Sequence, residues 1–296
     1  MVDHDKDTAE FEVAPEFSDK FFDASEHRLS FEFGAATHQG RVRPNNEDHY
    51  AIVRRRRTSQ LILSNLGPND LVLADDSAYG LVVADGMGGP KFGELASRMA
   101  LQRMFELAQQ ATSWVTRLKD LDNQQIRERV DAYVKKIQAT LRGQVQADPE
   151  LAGMGTTWTS AHLLSPQALV VHIGDSRAYL WHQGILHQVT HDETVAQSLI
   201  DSGADPQSVS RFRHMLLNSF GGDTDTVTAQ IHQLQIDAGD QLLLCTDGLT
   251  DMVSDEGIAS ILQSSTSPQS ACDRLIGAAL ENGGHDNVTA ILAAAV

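Results

Sequence analysis

Four short apolar runs in this chain each begin or end at an aspartate beside a glycine, and this pattern restricts the fold more than any bulk property. Leu81–Ala84 ends at Asp85, which Gly-Met-Gly-Gly follows. Val170–Gly174 ends at Asp175, which Ser-Arg follows. Leu242–Thr246 ends at Asp247 beside Gly248, and Asp286 follows Gly-Gly-His and precedes Asn287 and a last apolar run. One such aspartate is an ordinary turn former. Four of them, each at the end of a segment with the length and texture of a buried strand, can converge on one rim of a packed sheet. Converging carboxylates repel unless cations neutralise them. An all-oxygen set suits Mg²⁺ or Mn²⁺, whereas zinc favours histidine or cysteine.

The rest of the chain reads as strands around a few long helices. Phe31–Thr37 is a first strand. Phe92–Ala111 and Ile126–Val145 carry apolar residues at helical spacing, the second with Val130, Tyr133, Val134, Ile137 and Leu141 on one face. Thr156–Leu164, Ala168–Ile173, Arg177–His182 and Gly184–Thr190 read as strands, with a hairpin turn at Gln183-Gly184. Asp192–Gly203 reads as a helix stopped by glycine. Val227–Ile236 and Gln241–Thr246 are strands, Ser267–Glu281 a helix and Asn287–Ala294 a final strand. The expected class is α+β, with helices covering packed antiparallel sheets.

Residues 1–30 form an acidic N-terminal leader, with nine carboxylates against three basic residues and four phenylalanines, Phe11, Phe17, Phe21 and Phe22. They read either as a solvated tail or as a segment that docks on the core through its aromatics. Residues 31–296 read as one domain. Arg54–Arg57 opens an insertion-like stretch, Arg54–Gly80, rich in turn residues. It reads as a solvated loop or as an anion or partner contact.

Charge narrows the functional classes. The 296 residues include 40 acidic and 23 basic ones, for a net −17. That balance argues against binding nucleic acid or anionic membranes, which require clustered positive potential. No stretch has the roughly 18 apolar residues of a membrane span, and the acidic N-terminus does not read as a signal peptide. Two cysteines, Cys245 and Cys272, suit a reducing, cytoplasmic setting. Upstream, Gly40-Arg41-Val42-Arg43-Pro44-Asn45-Asn46-Glu47-Asp48 places arginines a few residues before an acidic pair. A guanidinium fork fits phosphate oxygens. Such an arginine beside an acidic metal rim describes metal-assisted phosphoester hydrolysis; a surface salt-bridge patch is the bland alternative.

The ordered set Arg-Val-Arg-Pro-Asn-Asn-Glu-Asp (41–48), Asp-Gly-Met-Gly-Gly (85–89), Gly-Met-Gly-Thr-Thr (153–157), Gly-Asp-Ser-Arg (174–177), Thr-Asp-Gly-Leu (246–249) and Gly-Gly-His-Asp-Asn-Val-Thr (283–289) resembles the metal-dependent protein phosphatases of type 2C, most of all the bacterial Ser/Thr phosphatases. The resemblance covers Phe31 to Val296. It implies a central antiparallel β-sandwich flanked by α-helices on both sides. It also implies hydrolysis of phosphoserine and phosphothreonine by a hydroxide bridging two Mn²⁺ or Mg²⁺ ions. Asp85 matches the bridging carboxylate, and Gly86 the residue lending its carbonyl. Asp247 and Asp286 match ligands of the first ion, and Glu47, with Asp48 less directly, those of the second. Asp175 with Asp247 matches a weaker third site. Arg43 matches the phosphate-binding arginine, while Asn287 and Thr156 support the site. Phosphorylated proteins and a bacterial Ser/Thr kinase are the implied partners. A catalytically idle binding module of the same fold is the alternative.

The chain departs from the pattern in places. Met87 and Pro90 stand where relatives carry histidines, so the proton donor is open among His172, His191, His214 and His285. Thr190-His191-Asp192-Glu193-Thr194 opens a flap expected over residues 192–222, whose usual motif is reduced to Arg211-Phe212-Arg213-His214.

Overall fold

The computed structural model describes residues 29–58, 75–88, 92–110, 121–221 and 226–296, with single positions between 59 and 74. Residues 1–28 of the expected leader, the tip of the Arg54–Gly80 stretch, Gly89, Pro90 and Gly222 lie outside the described residues. The strands are β1 (Phe31–His38), β2 (His49–Thr58), β3 (Asp75–Ala84), β4 (Gly86–Met87), β5 (Gly155–Thr156), β6 (Trp158–Leu164), β7 (Gln167–Ile173), β8 (Arg177–His182), β9 (Ile185–Gln188), β10 (Gln230–Gln235), β11 (Gln241–Cys245) and β12 (Val288–Ala295). The helices are α1 (Phe92–Gln110), α2 (Asn123–Ala147), α3 (Val195–Asp201), α4 (Pro206–Val209), α5 (Asp247–Thr250), α6 (Asp255–Ser264) and α7 (Pro268–Glu281).

One sheet has the order β1-β12-β11-β8-β9 and the other β10-β7-β6-β3-β2, with β4 and β5 as a small separate ribbon. Every pairing is antiparallel. Side chains two apart share a face of a strand, and this rule divides the core into three layers. Leu81, Val83, Ala161 and Val170 meet Leu242, Leu244 and Ile291 between the sheets. Val82, Ala84, Leu169 and Val171 turn the other way, onto Ala100, Leu107, Ile126 and Val134 of α1 and α2. On the far side Leu243, Cys245, Ala290 and Leu292 meet Ile258, Cys272, Leu275 and Ala279 of α6 and α7. Central strands covered on both faces need apolar residues at every position. That is why LVVA and LLLC are unbroken runs. The expected α-β-β-α sandwich is the architecture.

Local signals set the helix ends. Asp122 and Gln125 form a capping box that starts α2, whose expected apolar face is buried at Val130, Val134, Ile137 and Leu141. The Asp192–Gly203 helix is shorter than its pattern suggested. It begins at Val195, where Thr194 accepts the Gln197 N–H as N-cap.

The loop reading of Arg54–Gly80 needs correction at both ends. Arg54–Thr58 extends β2 and Asp75–Gly80 extends β3, in register with Arg54 opposite Tyr79 and Arg56 opposite Ser77. β2 is the outer strand of its sheet. An edge strand tolerates charge, and charge there discourages pairing with other chains, so the arginines carry no apolar alternation that would announce a strand. Helix α6 also went unforeseen; its N-cap is Ser254, which accepts the Gly257 N–H.

Candidate metal centre

The sandwich brings the sequence-predicted carboxylates to one rim. Asp85 follows β3, Asp175 lies in the turn from β7 to β8, Asp247 follows β11, Asp286 precedes β12, and Glu47 and Asp48 immediately precede β2. Their mutual fields show the convergence. Burial raises the Asp85 carboxyl well above its ordinary range, and the charges of Asp48, Asp247, Asp175 and Asp286 push it further. Asp175 is raised in the same way, first by burial and then by Asp247. Burial pushes Asp48 up to about 7 despite two hydroxyl donors, with Asp247 and Asp286 adding to the rise. Glu47 is raised more gently by burial, with Arg43 opposing.

The backbone around Asp85 is clamped. The Thr156 hydroxyl and the Thr157 N–H both donate to the Asp85 carbonyl, at 2.8 and 2.9 Å. The Asp85 N–H donates to Thr157 Oγ1 at 3.0 Å. Thr156 therefore holds the turn rather than facing a ligand. The next residue is glycine for a steric reason. A Cβ at Gly86 would lie 2.2 Å from the Gly93 carbonyl oxygen and 2.8 Å from that of Glu47. Helix α1 thus packs directly on the rim. Ser97 of α1 is fully buried and donates to the Glu47 carbonyl at 2.7 Å.

Asn287 ties two distant segments together. Its Oδ1 accepts the Glu47 N–H at 2.8 Å, and its Nδ2 donates to the carbonyls of Gln39 and Asn45. Its own N–H donates to Asp286 Oδ1. Arg43 donates from Nη2 to Asp286 Oδ2 at 2.5 Å, with the guanidinium more than half exposed at the mouth of the rim. Asp48 Oδ2 accepts the hydroxyls of Thr246 and Thr289 at 2.9 and 2.7 Å. Thr246, Thr289, Ser97 and Asp251 are the site residues that sequence reasoning missed. The first two are the end residues of the Asp247 and Asp286 motifs, which was the one available signal; Ser97 left none.

Two buried oxygens, Asp48 Oδ1 and Asp247 Oδ1, have no hydrogen-bond donor among the described residues. Buried carboxylate oxygens are expensive to leave unsatisfied. Oxygen-only donors, like charges and orphaned lone pairs fit hard divalent cations.

The four candidate histidines separate clearly. His172 is wholly buried between Thr159 Oγ1 and the Gly174 carbonyl, and burial lowers it to about 4. His191 is exposed and paired with Asp201, and His285 is exposed. His214 alone of the four touches a rim carboxylate among the described residues, lying 3.4 Å from Asp247 and 3.5 Å from Asp251. Asp247 above all raises it from the usual histidine range. His214 comes from the segment between α4 and β10. With Asp175, Asp192, Arg213, Asp247 and Asp251 it lines a polar cleft of about 220 Å³. The base of that segment is fastened by Glu193, whose Oε2 accepts the Gly174 N–H and Asn218 Nδ2.

Comparison with known proteins is consistent with this geometry. A profile of the family described as protein phosphatase 2C matches residues 70–281. The serine/threonine protein phosphatase PstP of Mycobacterium tuberculosis is 37% identical over 226 residues, 74% of this chain, which spans 41% of that protein's length. The serine/threonine phosphatase stp of Listeria welshimeri is 28% identical over 264 residues, covering 86% of this chain and 92% of its own. A crystal structure of the PstP catalytic domain in complex with two manganese ions matches at a TM-score of 0.69 and 33% identity, over 90% of this chain and 99% of that one. The chain belongs to the protein phosphatase 2C family.

Proposed function

We infer that the protein is a metal-dependent phosphatase acting on phosphoserine and phosphothreonine in proteins. The observation that carries this reading is the rim itself. Five aspartates and Glu47 line one rim, near enough to feel one another's charge, with two orphaned buried oxygens and a half-exposed arginine at the mouth. Asp85, Asp247 and Asp286 would hold one Mn²⁺ or Mg²⁺ ion, and Asp85 with the Gly86 carbonyl, Glu47 and Asp48 a second. Asp175 and Asp247 are the residues for a third. When bound, such cations supply Lewis acidity and bring water to a nucleophilic state near neutral pH.

The chain's own groups do the rest. Arg43 carries its fork on an exposed side chain at the rim, where it binds phosphoryl oxygens and offsets charge as the ester bond breaks. Asn287 fixes Glu47 relative to Asp286. Thr156 and Thr157 fix the Asp85 turn. The flap expected over residues 192–222 supports this reading, since its residues from Asp192 to His214 wall the cleft. The names of the relatives support a phosphoprotein substrate, and a Ser/Thr kinase is the natural counterpart. No helix among the described residues is long and apolar enough to cross a membrane. Cys245 and Cys272 are both free and buried. These two facts suit a cytoplasmic enzyme.

The idle-module reading is not favoured, because none of the expected carboxylates is missing from the rim. The test is turnover of p-nitrophenyl phosphate and of a phosphothreonine peptide with and without Mn²⁺. Turnover that needs the metal and disappears in Asp85→Asn supports the assignment. Tight metal binding without turnover overturns it.

A further inference from the structure

Two features have no part in the phosphatase chemistry: the arginine run Arg54–Arg57 and the acidic leader. In a chain of net −17, four consecutive arginines are a local exception. They lie on β2, an edge strand, and the strand leads away from the rim. At about 3.4 Å per residue, Arg54 stands about 20 Å from Asp48 and Arg56 farther still. Arg54 and Arg56 are exposed and share a face, while Arg55 points the other way and is half-buried. Neither Arg54 nor Arg55 forms an ion pair among the described residues. Arg54 instead donates to Ser77 Oγ at 3.2 Å and lies over the Tyr79 ring, 5.8 Å from its centroid. Asp75 and Asp76 occupy register positions opposite Thr58 and Arg57, at the far end of the run.

The path of the chain brings the leader to this place. β1 and β2 are the edge strands of the two stacked sheets, and both lie on the same side of the sandwich. Phe31 and Phe33 of β1 pack on Tyr79, with ring centroids 5.8 and 4.9 Å away. Phe31 and Arg54 therefore share the Tyr79 ring as a common neighbour. Just before Phe31, Ser30 exchanges backbone hydrogen bonds with Val296, and the Leu29 N–H donates to Ser165 Oγ. The described chain thus starts at the aromatic cluster of Phe31, Phe33 and Tyr79, which is only half-buried. Residues 1–28 continue from that point and carry nine carboxylates and four phenylalanines, for a net −6. Glu26 and Asp23 lie three and six residues before Leu29. Fully extended, those three and six residues span about 10 and 20 Å, against about 10 Å for the two strand spacings from β6, beside which Leu29 is held, to β2.

We propose that the acidic leader docks on the β2 edge of its own chain, with Asp19, Asp23 and Glu26 on the arginine run and Phe21 and Phe22 extending the Phe31–Phe33–Tyr79 cluster. Three properties favour this occupant over a separate partner. The charges are complementary. The leader is tethered next to the patch, which gives an effective concentration of about millimolar. A segment that neutralises the arginines also removes the charge that keeps this edge from pairing, and it covers the edge itself instead. The docked leader is thus a built-in guard for the sheet edge, remote from the metal rim.

Hydrogen exchange on the full chain tests this. At about 20 mM salt, the amides of residues 50–58 exchange several-fold more slowly in the wild type than in the leader variant Asp19→Asn/Asp23→Asn/Glu26→Gln. The gap closes near 0.5 M salt, where screening shortens to about 4 Å. Arg54→Glu/Arg56→Glu removes the protection, and combining it with Asp19→Lys/Asp23→Lys/Glu26→Lys restores it. Equal exchange in the wild type and the neutralised leader overturns the proposal, a result that does not depend on how the arginine variants fold. Protection that grows with protein concentration also overturns it and assigns the leader to a second copy. Protection that appears only on adding an acidic peptide, whatever the leader's charge, assigns the patch to a partner. Manganese-dependent turnover of p-nitrophenyl phosphate stays the same in every variant, so this result and that of the phosphatase test are read separately.

Discussion

Asp192 and Asp175 line the same cleft, yet the protein treats their charges in opposite ways. Asp192 receives a two-pronged grip from Arg177, whose Nε and Nη2 donate to it at 2.8 and 2.7 Å. Arg177 also donates to Tyr179 Oη, and Tyr179 in turn donates to Asp255. That is a completed circuit, with a positive charge for the negative one. Asp48, Asp85 and Asp175 are also enclosed but form no ion pair among the described residues; they push one another up, and the more distant charges of Arg43 and His214 offset only part of that. Desolvating an ion costs several kcal/mol unless an opposite charge offsets it. The paired aspartate therefore makes a joint at the base of the flap. The unpaired ones make a site whose balancing charge must come from outside the chain.

Experiments can break this contrast, and the largest effect belongs to the rim. Asp85→Asn and Asp247→Asn should each lower kcat/KM for a phosphopeptide by more than about 100-fold, the scale on which metal-site changes act. The same Asp85→Asn change should stabilise the metal-free protein by about 1–2 kcal/mol in urea titration, because it removes a buried like charge. A loss of stability there would sink the idea that the rim is under-neutralised.

At the joint the sign reverses. Arg177→Met strands the Asp192 carboxylate and should cost about 3 kcal/mol with or without metal. Restoration of most of that loss by Arg177→Met/Asp192→Leu would confirm that the cost is an orphaned charge. The pH dependence of stability sharpens the picture around β7. His172 binds a proton near pH 6.5 in the unfolded chain but only near 4 in the folded one. As pH falls, the unfolded state gains its proton first. The contribution of His172 is therefore whole above pH 6.5 and is lost progressively down to about 4, by about 3 kcal/mol. His172→Gln should flatten that part of the acid slope; an unchanged slope would assign it to other groups. The metal's own effect is slightly smaller than that of the joint. Mn²⁺ at 100 times its dissociation constant should add about 2.7 kcal/mol to stability, by the same amount in Arg177→Met and by much less in Asp247→Asn. A thermal shift that ignored Asp247→Asn would place the ion elsewhere.

Much of the site was legible because each ligand candidate sits in a short motif with its own local reason. Asp85 ends an apolar run, and Gly86 is small because α1 crosses it. Asn287 stands beside the aspartate whose oxygen it caps. What escaped was everything that reaches the site across sequence. Thr246 and Thr289 are 198 and 241 residues from the Asp48 they hold. His214 was one of four equal candidates until the fold set it beside Asp247 and buried His172 in the core. The arginine run read as loop because an edge strand needs no apolar alternation, and only the pairing of Arg54 with Tyr79 revealed it.

The sequence by itself determined the chemistry on offer: oxygen donors at strand ends, a guanidinium near the first of them, and apolar runs that must be covered on both faces. Those are local properties, written in residue type and spacing of a few positions. The tertiary structure alone decided which charges would be answered within the chain and which would not. Whether a carboxylate finds Arg177, a threonine or only another carboxylate depends on contacts that close loops of up to some 240 residues, and no local spacing encodes them.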